Sequence, residues 1–331
     1  MIAMNIYLNE QQKQLLSQFK THFHYRTEWP TFVLIVTIYS TWLSTLIFWE
    51  HLGSALSCVI LALITSWYMS LQHELLHGHP TRWDALNRLF GLFPFAVFYP
   101  YDLYKQQHLL HHQDAQLTDP VLDTQSNYID VAAWQNLSTF YQFYYWSNRT
   151  LLGRMILGPL FSIIFIFKHL FKAFVQFKLR DMWMWTQHVI LLGTLFYLLA
   201  NVFHFPVGLY FLSAYFALSI ALIRSFYEHR PAITPEHRTV INEAEIIFRI
   251  LFLDNNYHLI HHDLPHVPWF YLRKVFLQHK YEYIERNHAF YYTGYLQIFR
   301  KNHVVPIDSP IYQHASEQLK QQLHLKTSHE Q

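Results

Sequence analysis

Cysteine occurs once, at Cys58, in a chain of 331 residues. That single thiol excludes a disulfide framework, a CxxC redox pair and a cysteine-ligated iron–sulfur or rubredoxin-type centre within the chain. Glycine is also scarce, with eight residues and no Gly-rich phosphate loop. Charged residues make up 14% of the chain, against roughly 25% in an ordinary soluble domain. A formal net charge of +2 without a basic run gives no reason to expect a nucleic-acid partner. No cleavable secretory signal is read, because the first long apolar run begins near residue 31, too far in and too long for one. No internal repeat or low-complexity tract stands out. What remains is 52% hydrophobic and 18% aromatic, the balance of a membrane protein.

A spanning helix needs about 20 mostly apolar residues. Residues 31–49 and 54–72 meet this, as do 184–203 and 206–226. Each pair is joined by a very short turn, EHLG or HF. Three weaker apolar stretches lie between the pairs, at 86–100, 127–146 and 151–167. The first two are interrupted and aromatic-rich, as interfacial helices are. The third contains Arg154, Gly158 and Pro159 and is placed on or within the interface. The two short turns carry no Lys or Arg, whereas Lys13, Lys20, Arg26, Lys105, Lys168 and Arg180 lie elsewhere. The positive-inside rule then puts both termini in the cytoplasm. The expected fold is an all-α integral membrane protein, with four transmembrane helices and a cytoplasmic helical cap. Residues 1–30 form an N-terminal cytoplasmic segment, 31–275 the membrane domain, and 276–331 a C-terminal cytoplasmic segment whose end, 316–331, reads as a polar helical tail.

Histidine is abundant, with 24 copies. His22, His24, His279, His288, His303, His314, His324 and His329 read as scattered surface side chains. The others cluster. HELLHGH places His73 and His77 four apart on one helix face, and HLLHH supplies His108, His111 and His112. HLIHH supplies His258, His261 and His262. Positions i, i+3 and i+4 of a helix share a face, so each HxxHH cluster is expected to offer three imidazoles to a common point. About thirty residues separate His77 from His108, too few for an out-and-back crossing. The first two clusters therefore share a side, and the last pair of spans returns the third to it.

Taken alone, HELLH is the zinc-protease pattern, with Glu74 as general base. A catalytic zinc takes three protein ligands, and eight clustered imidazoles exceed that, so two metals are implied. Imidazole suits zinc, copper, iron and nickel alike. A metal carrier would need polar residues through the spans, and Gln187 and His188 are the main ones.

The order HxxxH, HxxHH, HxxHH with four spans resembles the membrane fatty acid desaturase and hydroxylase superfamily over roughly residues 30 to 275. HELLHGHPTRWDALNRLFG resembles the first box of bacterial members, YKQQHLLHHQDAQLTDPVLD the second, and NNYHLIHHDLPHVPWFYL the third. The resemblance implies two non-haem irons, with O2 as co-substrate. It also implies a ninth ligand between the last span and the third box, where SFYEHRP offers His229. His79 and His266 are substitutes. Glu74, Asp114, Asp119, Glu228 and Asp263 lie near the ligands and could orient them, Glu74 and Asp263 foremost, because outer carboxylates fix imidazole tautomers. Asn255 and Asn256 could bond a metal-bound water.

The implied activity is O2-dependent desaturation of a fatty acyl chain, at an active site facing the cytoplasm from a bacterial inner membrane. Electrons would come from a separate ferredoxin-, rubredoxin- or cytochrome-type carrier, and basic residues on the cytoplasmic face could receive an acidic one. Hydroxylation or ketolation of a lipid or carotenoid, terminal-alkene-forming decarboxylation of a fatty acid, and an intramembrane zinc protease using HELLH are the alternatives.

Overall fold

The computed structural model describes residues 9–112 and 117–312. Asp114, His314, His324, His329 and the expected tail at 316–331 lie outside the described residues. The chain is mostly helical, and eight helices position the site. They are α1 (Trp29–Ile47), α2 (Trp49–Leu76), α3 (Tyr101–His111), α4 (Gly158–Val175), α5 (Leu179–Tyr197), α6 (Val207–Arg224), α7 (His258–Asp263) and α8 (Trp269–Gln278). Among the described residues, strands are confined to two parallel pairs of two residues each, Ile129–Asp130 with Ile311–Tyr312 and Ile241–Asn242 with Tyr291–Tyr292.

Among the described residues, five helices are long and apolar enough to cross a membrane. Four match the expected spans. Near its start α2 is kinked at Gly53, whose φ of 75° is left-handed backbone that a residue with a β-carbon resists. The fifth is α4, and it redraws the stretch expected at 151–167. The chain breaks there: a short helix, Leu151–Ile156, keeps Arg154, and α4 begins at Gly158. Pro159 lies in the first turn of α4, where its missing N–H has no intrahelical partner to lose. Pro159 therefore starts a helix instead of interrupting one, and α4 runs on to Val175.

The helices pack through a core around Trp42, Tyr68, Phe95 and Tyr210. Trp42 stacks on Phe95 with ring centroids 4.5 Å apart and donates from Nε1 to the Tyr210 hydroxyl at 2.9 Å. Tyr68 donates to the Gly91 carbonyl at 2.7 Å. Lipid is as apolar as these side chains, so close packing and buried hydrogen bonds, the latter each worth about 0.6 kcal/mol, hold such helices together. The outward faces carry exposed apolar residues such as Val36, Val59 and Ile190.

Candidate metal centre

The first box forms at the end of α2. His73 lies in its last turn and His77 caps it, with their ring centroids 5.0 Å apart. Gly78 stops the helix with a φ of 93°. Its N–H bonds the Leu75 carbonyl at 3.2 Å, and the N–H of His79 bonds that of Glu74 at 3.2 Å. This is the Schellman arrangement, which needs a left-handed residue just past the helix end. The second box ends α3, with His112 as the cap and its N–H bonded back to the His108 carbonyl. The third forms all of α7. His229 follows the short turn after α6 and bridges to Thr239.

The nine histidines fall into two groups: His73, His77, His108, His112 and His261, then His111, His229, His258 and His262. Within each group the candidate ligand atoms all lie within 4.8 Å of one another. The expectation that each HxxHH box serves one point is therefore corrected. At about 100° per residue, positions i and i+4 stay close, while i+3 points roughly 100° away from i+4. His108 and His112 join the first group and His111 the second. His258 and His262 join the second group and His261 the first. The boxes exchange their odd members, and His112 and His262 stack between the groups with centroids 4.2 Å apart.

The ring nitrogens converge. In the first group, Nε2 of His108 lies 3.2 Å from that of His77 and 2.9 Å from that of His112, which is 3.2 Å from that of His261. In the second, Nε2 of His229 lies 3.0 Å from that of His111 and 3.1 Å from that of His258, which is 3.2 Å from that of His262. Two imidazoles at right angles on one metal, with bonds of roughly 2.1 Å, would be about 3.0 Å apart. Burial, then the neighbouring imidazoles, hold His77, His108, His258 and His261 well below the usual histidine range. The same causes act on His229, and burial, then His111, on His262. The rings are thus neutral, the form that ligates.

The outer nitrogens explain the orientation. His111 donates from Nδ1 to Asp123 Oδ1 at 2.8 Å, and His258 from Nδ1 to Asn255 Oδ1 at 3.3 Å. His108 Nδ1 lies 3.4 Å from Gln125 Oε1, and His229 Nδ1 lies 3.2 Å from the Thr239 hydroxyl. A proton held on Nδ1 leaves a bare lone pair on Nε2. Three such lone pairs meet in the second group; in the first, that of His108 joins Nε2 of His73, which is buried with no hydrogen-bond partner. Converging, desolvated lone pairs repel one another unless a cation is shared among them, so the residues fit two metal ions.

The remaining expected residues take varied places. Glu74 accepts from the Trp269 backbone N–H at 3.2 Å and lies 3.5 Å from His73 Nδ1. Asp263 pairs with Arg286. Glu228 lies 3.7 Å from His258 Nδ1 and 3.4 Å from Arg224. Asp119 accepts from the backbone N–H groups of Val121 and Leu122 and caps a turn. Asn255 holds an outer nitrogen, and Asn256 bonds the Asn242 carbonyl. Neither His79 nor His266 joins a group. His79 pairs with Glu28 at 2.8 Å, which outweighs its burial and raises its pKa. His266 donates to the His77 carbonyl at 2.9 Å.

Asp123 was not singled out from the sequence. It is the last residue of YKQQHLLHHQDAQLTDPVLD, and only its position inside that segment could have pointed to it. Its carboxylate also accepts from the backbone N–H of Thr118 and Gln125. These bonds and His111 overcome the upward push of burial and hold its pKa low.

A family model described as fatty acid desaturase matches residues 48–294. No curated protein and no solved structure matches the chain.

Proposed function

The chain belongs to the fatty acid desaturase family, and on that premise we propose an O2-dependent di-iron enzyme that inserts a double bond into a fatty acyl chain. The family makes it an oxidoreductase acting on lipid, and its five long apolar helices fit an integral membrane protein. The observation that carries the reading is the pair of histidine groups beside a cavity that holds both polar and apolar side chains. A cavity of about 590 Å³ is lined by His111, His229 and Asp123, and further on by Phe161, Phe165 and Leu222. Its size lies within the roughly 300–1,000 Å³ of small-ligand sites.

Iron held by His73, His77, His108, His112 and His261, and by His111, His229, His258 and His262, would supply an oxidant from dioxygen that can take hydrogen from an unactivated methylene. The chain's own part is positional. Asp123, Asn255 and Thr239 fix ring orientation. Glu74 ties the first box to the start of α8, and Asp263 ties the third to Arg286; both are positioning residues. The aromatic wall of the cavity keeps water from the acyl chain. Electrons come from a separate carrier of ferredoxin, rubredoxin or cytochrome type, because the one cysteine, Cys58, is buried and alone.

In this reading residues 31–275 form the membrane domain, flanked by 1–30 and 276–331, with the site at the cytoplasmic face of a bacterial inner membrane. Four crossings are supported by parity. His111 and His229 meet at 3.0 Å, although α4, α5 and α6 lie between them in sequence. Three full crossings would put them on opposite faces, so α4 lies at the interface or re-enters. The protease reading loses ground, since His73 and His77 sit with three further histidines and Glu74 already accepts from Trp269.

The test is expression of the chain and of His261→Ala in a bacterium lacking its own desaturases, with a ferredoxin system, followed by GC–MS of lipids and headspace. A new double bond seen only with the intact chain supports the reading. A hydroxylated product or a terminal alkene keeps the metal site and changes the reaction. Unchanged lipids together with a single zinc per chain would overturn it.

A further inference from the structure

Three arginines line the cavity: Arg149, Arg154 and Arg224. Arg149 pairs with Asp308 and Arg224 with Glu228. Arg154 is 6% exposed, yet its partners are all neutral: the Asn127 side-chain oxygen and the carbonyl and hydroxyl of Ser225, the last two at 3.3 and 3.2 Å. Its Nε is buried without a hydrogen-bond partner. A guanidinium taken out of water is strongly disfavoured without a counter-charge, and no carboxylate of the described residues pairs with this one. The Glu228 carboxylate, already held by Arg224, acts on it only through space, so an anion in the cavity that Arg154 lines would complete its charge balance.

We propose that Arg154 anchors the carboxylate of a free fatty acid, which makes the substrate an unesterified acid and Arg154 its head-group specificity residue. The inference rests on the reading of the chain as an acyl-chain oxidoreductase. The partners of Arg154 lie beside the second histidine group. Tyr128, next to Asn127, donates to the His229 carbonyl at 3.3 Å, and Ser225 lies four residues before His229. The polar end of the substrate therefore lies at the histidine end of the cavity, with its tail towards Phe161 and Phe165. A phosphate of a coenzyme A or phospholipid head group would satisfy the same guanidinium, and competition by the thioesters distinguishes the two sources. A guanidinium fork also matches a carboxylate in geometry.

The test uses the full-length protein in lipid nanodiscs and equilibrium binding of radiolabelled saturated fatty acids. The matching methyl esters and coenzyme A thioesters serve as competitors. The acids should bind at least about ten-fold more tightly than their esters. Arg154→Gln should weaken acid binding by about ten- to a hundred-fold and leave ester binding unchanged, and Arg154→Lys should keep most of the preference. Equal binding of acid and ester to the intact protein overturns the proposal, and that comparison requires no variant to fold. So does an equal loss of both ligands in Arg154→Gln, which would mark a structural residue. A thioester that outcompetes the acid overturns it in favour of a phosphate. Acid preference without any oxidised lipid product would leave the anchor standing and sink the oxidoreductase reading. Oxidised product without acid preference would do the reverse.

Discussion

The two histidine groups are built differently. The first takes four of its five rings from i, i+4 pairs at the ends of α2 and α3, so helical periodicity alone brings them together. The second takes one ring from α3 and one from the segment after α6, and only His258 and His262 are a helical pair. Its outer nitrogens meet Asp123, Thr239 and Asn255, which stand outside the regular helices. His111 and His229 of this second group line the cavity, and no member of the first group does. Helix ends hold most of the enclosed group, while loop residues orient the group that lines the cavity. This fits the general placement of working residues on loops carried by a stiff scaffold.

The largest expected effect would show that both groups are needed. His73→Ala and His261→Ala from the first group, and His111→Ala from the second, should each lower product formation by more than about a hundred-fold. Insertion into the membrane should be little changed, and bound metal per chain should fall, as read by elemental analysis. Retained activity in two of the three would end the two-metal assignment.

A smaller effect separates two neighbouring carboxylates. Asp123→Asn should weaken metal retention against a chelator by about ten- to a hundred-fold, the usual consequence of losing the partner of a ligating imidazole. Asp119→Asn, at a turn cap, should change retention by less than about two-fold. Equal effects would erase the distinction between a loop that orients a ligand and one that merely turns.

Chain-length preference tests which end of the cavity holds the tail. Phe161, stacked on Tyr144, stands on the aromatic wall. Phe161→Ala should shift relative kcat/KM towards longer chains by about ten-fold, as added methylenes in an apolar pocket do, in competition assays with mixed acids. A shift towards shorter chains would reverse the proposed direction of the substrate.

The smallest effect belongs to the first group alone. A β-carbon at Gly78 meets nothing within 4 Å, so Gly78→Ala is opposed only by its left-handed backbone, about 1 kcal/mol. The thermal midpoint should fall by a few degrees, and acid binding at the cavity should be unaffected. Weakened acid binding would mean that the two groups are not as separate as the cavity lining indicates.

Much of this molecule was legible before folding was considered. Long apolar runs mark helices in lipid because an unpaired backbone group there is so unfavourable. The HxxxH and HxxHH spacings mark candidate ligands because side chains four apart share a helix face, while the one at i+3 turns to the other group. Positions 158–175 were less legible, since Pro159 reads as an interruption in a window that starts at 151. Only the break after Ile156 turns it into a helix start. Asp123 carries no periodic signal at all, because loop residues are brought to a site by the path of the chain.

The sequence by itself determined the class of the protein, its apolar helices, and the eight clustered histidines that could hold metal, through composition and local periodicity; the ninth, His229, came from the resemblance to the family. The tertiary structure decided which histidine belongs to which group, which carboxylate backs which ring, and which cavity arginine has no ion pair of its own. Those outcomes depend on how α2, α3, α6 and α7 meet. The relative rotation of packed helices is set by contacts between residues far apart in the chain, which no local spacing records.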